Sequence, residues 1–215
     1  MKLKIVCFSD IHGQISRNLT KWFKEHEGDI LIFAGDMKGD KSDYGSKFSE
    51  WIKELPYKYK IITFGNHDDH YEYVQDNCKG IKDIIFLNSD VITLKGINFY
   101  GSPYSPTFGN WSFQKSEKDL IRLYDHIPDE TNILITHTPA YGILDKDIFG
   151  NNIGSRSLLE RMNNLPNLRY HICGHIHESA GKYVDYEKQR VYINASLLNE
   201  QYKLVRIPYA FIYKK

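Results

Sequence analysis

Five short apolar runs, each ending in small and polar residues, constrain this chain more than any other feature: KIVCFSD, DILIFAGD, KIITFGN, NILITHT and RYHICGH. Runs this short, and this rich in Ile, Val, Leu and Phe, leave no polar face for water. They suit strands buried on both sides, as in α/β sheets. Helical spacing follows the first run at Leu19, Trp22, Phe23 and His26, and the second at Phe48, Trp51, Ile52 and Leu55. The alternation reads as β-α-β-α-β, a largely parallel start. Further on, DIIFLNSDVITLKGINFYGSP is broken at Asn88-Ser89-Asp90 and at Lys95-Gly96, which predicts hairpins. SEKDLIRLYDHI (116–127) and GSRSLLERMNN (154–164) predict helices, and GKYVDYEKQRVYINAS and YKLVRIPYAFIY predict further strands. No repeat or linker interrupts the 215 residues, so one α/β domain over 1–215 is expected.

Composition removes several classes of function. A net charge of +1 gives no electrostatic basis for coating long nucleic acid or an anionic membrane. Three widely spaced cysteines form no disulfide framework, and Cys7 and Cys173 lie in apolar runs as small buried hydrophobes. The N-terminus MKLKIVCFSD turns polar too early for a signal peptide, and no apolar stretch is long enough to span a bilayer. A cytoplasmic location is expected.

The chemistry gathers at the ends of the runs, as Asp10-Ile11-His12, Gly35-Asp36, Gly65-Asn66-His67-Asp68, His137, and Gly174-His175-Ile176-His177. Ligand sites in open α/β sheets lie beyond the carboxyl ends of the strands, so neighbouring strands bring these clusters together. In extended chain, residues two apart point the same way, which lets Asp10 pair with His12, and His175 with His177. The glycines at 35, 65 and 174 allow tight turns or close backbone approach. Asp10, His12, Asp36, Asn66, His137, His175 and His177 suffice for two divalent metal ions sharing a carboxylate. Mixed imidazole and oxygen donors suit Mn²⁺, with Fe, Zn²⁺ or Mg²⁺ as alternatives, better than Ca²⁺. Two such ions outweigh two carboxylates and a bridging hydroxide, so an anionic phosphate is the natural guest. His67, next to Asn66, is the candidate to stabilise phosphate charge or protonate a leaving oxygen.

The ordered set DIHG, GD, GNHD, TH and GHIH closely resembles the calcineurin-like metallophosphoesterase superfamily. GSPYSPTFGNWSF, TPAYGILD, GSRSLL and INAS resemble its small metallophosphoesterase-domain-containing group, which includes metal-dependent phosphodiesterases; the likeness runs from Ile5 to about Ser196. The resemblance implies two mixed β-sheets packed face to face and flanked by helices, a four-layer sandwich. It assigns Asp10, His12, Asp36 and His177 to one metal, and Asp36, Asn66, His137 and His175 to the other. In the serine/threonine phosphatases of the superfamily, an acidic residue three positions after the bridging aspartate orients the catalytic histidine, within a DRG element. Here that position is Gly39 and no DRG follows. This argues against a phosphoprotein phosphatase and leaves Asp40 and Asp68 as candidates for orienting His67.

Other residues carry two readings each. Asp68-Asp69-His70 reads first as a helix start. Asn194 reads either as a turn former or as a residue reaching the site. Tyr104, Phe108 and Trp111 read as core packing or as a base-stacking wall, the latter making Tyr104 and Trp111 substrate contacts beside Asn66 and His67. His26, His126 and His171 read as structural. The expected function is hydrolysis of small phosphodiesters, nucleotide-like ones foremost, by a bridging hydroxide. The alternatives are a broad-range phosphomonoesterase and a nucleotide-binding regulator with low turnover.

Overall fold

The protein, seen in a computed structural model, is described over residues 2–38 and 44–214. Gly39 and Asp40 lie outside the described residues. The elements run β1 (Lys2–Phe8), α1 (Arg17–Glu25), β2 (Gly28–Ala34), α2 (Tyr44–Glu54), β3 (Tyr57–Thr63), α3 (Tyr71–Asn77) and β4 (Ile84–Phe86). The second half holds β5 (Asp90–Leu94), β6 (Ile97–Ser102), β7 (Ser105–Pro106), β8 (Gln114–Lys115), α4 (Glu117–Tyr124), β9 (Ile133–Thr136), α5 (Arg156–Asn163) and β10 (Tyr170–Cys173). A 3-10 turn (His177–Ser179), β11 (Gly181–Asp185), β12 (Arg190–Asn194) and β13 (Tyr209–Lys214) follow.

Two sheets take up most of the strands, one ordered β13-β1-β2-β3-β4 and the other β11-β12-β10-β9-β6-β5. β1 to β4 pair in parallel, as do β6, β9, β10 and β12, whereas β13, β11 and β5 pair antiparallel at the edges. The apolar runs are explained by what each face meets. Ile5, Cys7, Ile30, Ile32 and Ile61 of the first sheet pack with Phe99, Ile133, Ile135, Ile172 and Ile193 of the second. Their neighbours Val6, Phe8, Leu31 and Phe33 turn the other way, onto Phe23 of α1 and Phe48, Trp51 and Ile52 of α2. On the second sheet Leu134 and Tyr192 meet Leu120 and Tyr124 of α4 and Leu158 and Met162 of α5. The expected four layers are present: helix, sheet, sheet, helix.

Three helices start at a serine whose side chain accepts the N–H of the helix's third residue: Ser16 from Leu19, Ser116 from Asp119 and Ser155 from Leu158. Each such cap is worth about 1 kcal/mol. Glu117 reinforces the start of α5, accepting from Arg156 N, Ser157 N and Ser157 Oγ. All three cysteines are buried and free.

Two expectations need correction. Lys95-Gly96 does close a hairpin between β5 and β6, but Asn88-Ser89-Asp90 does not close one. There β4 pairs in parallel with β3 in the first sheet, and the turn, with Ser89 at φ 62°, carries the chain across to β5 in the second. A turn signal marks a change of direction and is silent about which strand lies alongside. YKLVRIPYAFIY becomes a strand only from Tyr209, after Pro208; a proline has no N–H to give a ladder.

Phe23 fixes α1 to the first sheet. Its ring is fully buried, 4.8 Å from Phe8 and 5.6 Å from Trp51, centroid to centroid. Phe23→Ala is expected to lower stability by about 3–5 kcal/mol in urea unfolding, with metal content per folded chain unchanged.

Candidate metal centre

Every candidate ligand follows the carboxyl end of a parallel strand: Asp10 and His12 after β1, Asp36 after β2, Asn66 after β3, His137 after β9, and His175 and His177 after β10. Both sheets present these ends at the same side of the sandwich. The backbone turns there by left-handed residues that are themselves candidates: Asp10 (φ 52°), His12 (φ 39°), Asp36 (φ 60°) and His175 (φ 71°). Asp, Asn and His tolerate that region better than most side chains, at a cost of roughly 1–3 kcal/mol each. The pairs two residues apart therefore converge through turns, whereas the sequence reading took them as extended. Gly65 and Gly174 serve close approach: a Cβ on Gly65 would overlap Asp36 Oδ1 and the His137 ring, and one on Gly174 would overlap Asp10 Oδ2 and Ser9.

The side chains assemble into three groups, of which the middle one, His12, Asp36 and His67, overlaps the other two. Asp10, His12 and His177 lie with ligand atoms within 4.8 Å of one another, as do Asp36, His137 and His175. Asp36 joins the groups, its Oδ2 3.6 Å from His12 Nε2 and 3.3 Å from His137 Nε2. His177 Nε2 lies 3.3 Å from Asp10 Oδ1, and Asn66 Oδ1 lies 3.0 Å from His137 Nε2. Three of the imidazoles are held in one orientation. The Nδ1 of His12, His137 and His177 faces the carbonyls of Lys38 (3.2 Å), Ala34 (2.9 Å) and Asn199 (3.0 Å) respectively. An N–H donated there leaves each Nε2 lone pair directed into the site, the arrangement that metal-binding imidazoles require. His12 Nε2 is buried without a hydrogen-bond partner. This set of donor atoms fits two divalent ions, one on each side of Asp36.

Buried charge is handled from behind. Asp10 accepts from His175 N at 3.1 and 3.0 Å, from Ser9 Oγ at 2.5 Å and from Ser196 Oγ at 2.7 Å. Asn194 buttresses this by accepting from Ser196 Oγ and donating to Ile176 O, between the two histidines of the GHIH motif. Its amide is thus taken up in bracing the candidate ligands from behind. Burial alone would raise the Asp36 carboxyl, but His137 and His12 hold it well below the usual carboxylate range. Asp10 is likewise held low against burial, by His177. Burial works against a charged His137 too, yet Asp36 lifts it to about 9; burial and the neighbouring His137 push His175 down to about 3.

Asp68 departs from its reading as a helix start. α3 begins at Tyr71, after His70, while Asp68 is buried and accepts four backbone N–H groups. These come from Asp36 (3.0 Å), Met37 (3.0 Å), Lys38 (3.1 Å) and Gly65 (2.8 Å), tying the loops after β2 and β3 together. Burial and the Asp36 charge push its carboxyl up to about 7, against the N–H groups that favour the ionised form. Among the described residues no carboxylate bonds the His67 ring. Its backbone N–H donates to Asp36 Oδ1 at 2.9 Å, and the ring sits edge-on to His12 and 4.3 Å from Trp111.

A cavity of about 580 Å³ opens over the centre, lined by His12, Asp36, Asn66, His67, His175 and His177 on its floor. Three half-exposed aromatic rings collar it. Trp111 packs on His67, Phe108 on His175 at 5.3 Å, and Tyr202 on His12 at 4.9 Å and His177 at 5.1 Å. Ser112 N donates to Asn66 O at 3.1 Å, which pins the Trp111 loop to the site. Tyr104 is not on this wall; its ring packs against Phe113 and under Lys115. Tyr202, which the sequence did not single out, is on it. His171 is buried beside Thr136 Oγ1 at 2.8 Å and His26 stacks on Trp22, both structural.

Comparison with known proteins agrees with this architecture. A family model described as calcineurin-like phosphoesterase matches residues 3–179. The chain is 34% identical to a UPF0046 protein of Caenorhabditis elegans, covering 99% of this chain and 76% of that protein. It is 32% identical to metallophosphoesterase domain-containing protein 1 of Homo sapiens, covering 95% of this chain and 69% of that one. Among solved structures, the phosphopantetheinyl hydrolase of Mycobacterium tuberculosis shares the fold, with a TM-score of 0.58 at 13% identity over 93% of this chain and 90% of that one.

Two outcomes follow. Asp36→Asn is expected to lose more metal than any other single ligand substitution, measured by elemental analysis, because two cations would then face each other without the shared charge. The His137 proton stabilises the metal-free fold fully below pH 6.5, and that contribution fades as pH rises through about 9. A metal ion must displace this proton. Titration with Mn²⁺ in weakly buffered solution at pH 7.5 is expected to release acid, and His137→Ala to release less.

Proposed function

The chain belongs to the calcineurin-like phosphoesterase family, and from its site we propose that it is a dinuclear metal-dependent phosphodiesterase of small, nucleotide-sized substrates. Asp10, His12, Asp36 and His177 would hold one ion, and Asp36, Asn66, His137 and His175 the other, with Mn²⁺ favoured by the mixed nitrogen and oxygen set. When bound, such a pair supplies Lewis acidity toward the phosphoryl oxygens and makes water a nucleophile at neutral pH.

The observation that carries the diester reading is a pair of cavities meeting at one place. The cavity of about 580 Å³ and a smaller one of about 290 Å³, lined by Lys38, Asp69, Asn110 and Ser112, share Asn66, His67 and Trp111. A phosphoryl group held at the shared floor has room for a substituent on each side. A monoester needs only one. Phe108 and Trp111 offer the larger arm a stacking surface, worth about 1–3 kcal/mol per base, which supports nucleoside phosphodiesters. His67, at the meeting point, donates the proton that the departing alkoxide needs, while Asn66 orients the ester.

His67→Ala is expected to slow turnover of alkyl esters by about 10²–10⁴-fold with metal content retained. The loss shrinks for nitrophenolate esters, whose leaving groups need no proton. An equal loss on both would make His67 a phosphate binder. With Mn²⁺, kcat/KM for bis-nitrophenyl phosphate and cyclic nucleotides is expected to exceed that for nitrophenyl phosphate and a phosphopeptide. A tenfold advantage for the monoester would replace the diesterase with a phosphatase.

A further inference from the structure

Tyr202, like four of the candidate ligands, holds a left-handed backbone (φ 55°), yet it has no place in the ligand set. An aromatic residue is uncommon in that region, and such strain persists where the surroundings over-determine it. Here a hairpin after β12 does so. Leu198 bridges Leu204 antiparallel, with Asn199 at the centre of the turn between them. Asn199 Oδ1 accepts from Gln201 N at 3.1 Å and from Lys203 N at 2.9 Å, and Asn199 N donates to Lys203 O at 3.0 Å.

The hairpin grips both segments that carry the histidines of one ligand group. Asn199 O faces His177 Nδ1 at 3.0 Å and also accepts from Tyr202 N at 2.9 Å, so one carbonyl aims an imidazole and fixes the tyrosine. Tyr202 O accepts from Gln14 Nε2, two residues beyond His12. The Tyr202 ring then lies edge-on to both imidazoles, 4.9 Å from His12 at 70° and 5.1 Å from His177 at 72°, while those two stand 5.3 Å apart. The three rings make a nearly equilateral triangle. The side chains of His12 and His177 are only 7% and 8% exposed, whereas Tyr202 is 50% exposed, which puts the tyrosine on the solvent side of the pair. The other group meets a different ring, Phe108 on His175 at 5.3 Å.

We propose that Tyr202 is a positioning residue for the ion that Asp10, His12, Asp36 and His177 would hold, and that it acts through the packing of its ring. This rests on the dinuclear reading of the site. An imidazole fixed at Nδ1 alone can still pivot about that one bond. A ring wedged against two such imidazoles removes the freedom from both, so their Nε2 atoms stand ready together. The two ions become unequal: one depends on the hairpin and the other does not.

The test titrates the metal-stripped full chain with Mn²⁺ and follows the free ion by EPR. The wild type is expected to take up two ions. Tyr202→Asn removes the ring and keeps the turn, because asparagine accepts a left-handed backbone. It is expected to weaken one binding event by about 10–100-fold, the range for losing an outer partner of a metal ligand, and to leave the other unchanged. Tyr202→Phe keeps the ring and is expected to bind as the wild type does. The weakening is expected to persist in a His175→Ala background, where the group around Asp10 is intact, and to vanish in a His177→Ala background. Equal weakening of both events, no weakening, a weakening that survives His177→Ala, or a phenylalanine variant that behaves like the asparagine one overturns the inference and leaves the dinuclear reading standing. A wild-type chain that takes up fewer than two ions removes the dinuclear reading, and this inference with it.

Discussion

Asp10 is the joint on which the two sheets close. Its carboxylate leaves the end of β1 in the first sheet and is held by His175 N–H and Ser196 Oγ, both supplied by the second. Backbone bonds from Ser9 N to Ala195 O and from Leu197 N to Ser9 O run alongside it. A buried carboxylate is tolerable only when its lone pairs are filled, and here donors from both sheets fill them. The same group faces His177, so the contact that seals the sandwich also fixes one corner of the metal centre.

Asp68 performs the matching task one layer over. Where Asp10 links sheet to sheet, Asp68 links loop to loop within the first sheet, and it reaches only backbone N–H groups to do so. The left-handed turns at Asp10, His12, Asp36 and His175 are held between these two carboxylates. Strain of that kind persists when the surroundings over-determine it. The glycines behind the ligands allow the packing to be that tight, since a methyl group at Gly65 or Gly174 has nowhere to go.

Much of this was legible in the sequence because the site uses side chains and the fold uses apolar runs. Ile5 and Cys7 alternate with Val6 and Phe8 onto two different cores, so an unbroken apolar run was the correct sign of a strand buried on both faces. The polar residues ending those runs are the ones the structure gathers. What stayed hidden works through the backbone. The carbonyls of Lys38, Ala34 and Asn199 that aim three imidazoles leave no mark in a residue string, nor do the N–H groups that recruit Asp68. The Asn88 turn carries the chain from the edge of one sheet to the edge of the other, a destination no local turn signal specifies. Tyr104 and Tyr202 are alike as letters, and only packing sends one ring inward and the other to the rim.

The long reach of the Asp10 contacts bears on how the chain is made. Asp10 meets His175 across 165 positions and Ser196 across 186, while His137 reaches Ala34 across 103. Contacts so distant in sequence are slow to form and come after the local helices and hairpins. As the protein emerges from the ribosome, β1, β2 and β3 are complete long before the residues that will fill the Asp10 lone pairs exist. A nascent chain therefore carries half a centre, with acidic and imidazole groups but no enclosure. A metal centre built from these residues is complete only when the stretch around Ser196 has been added.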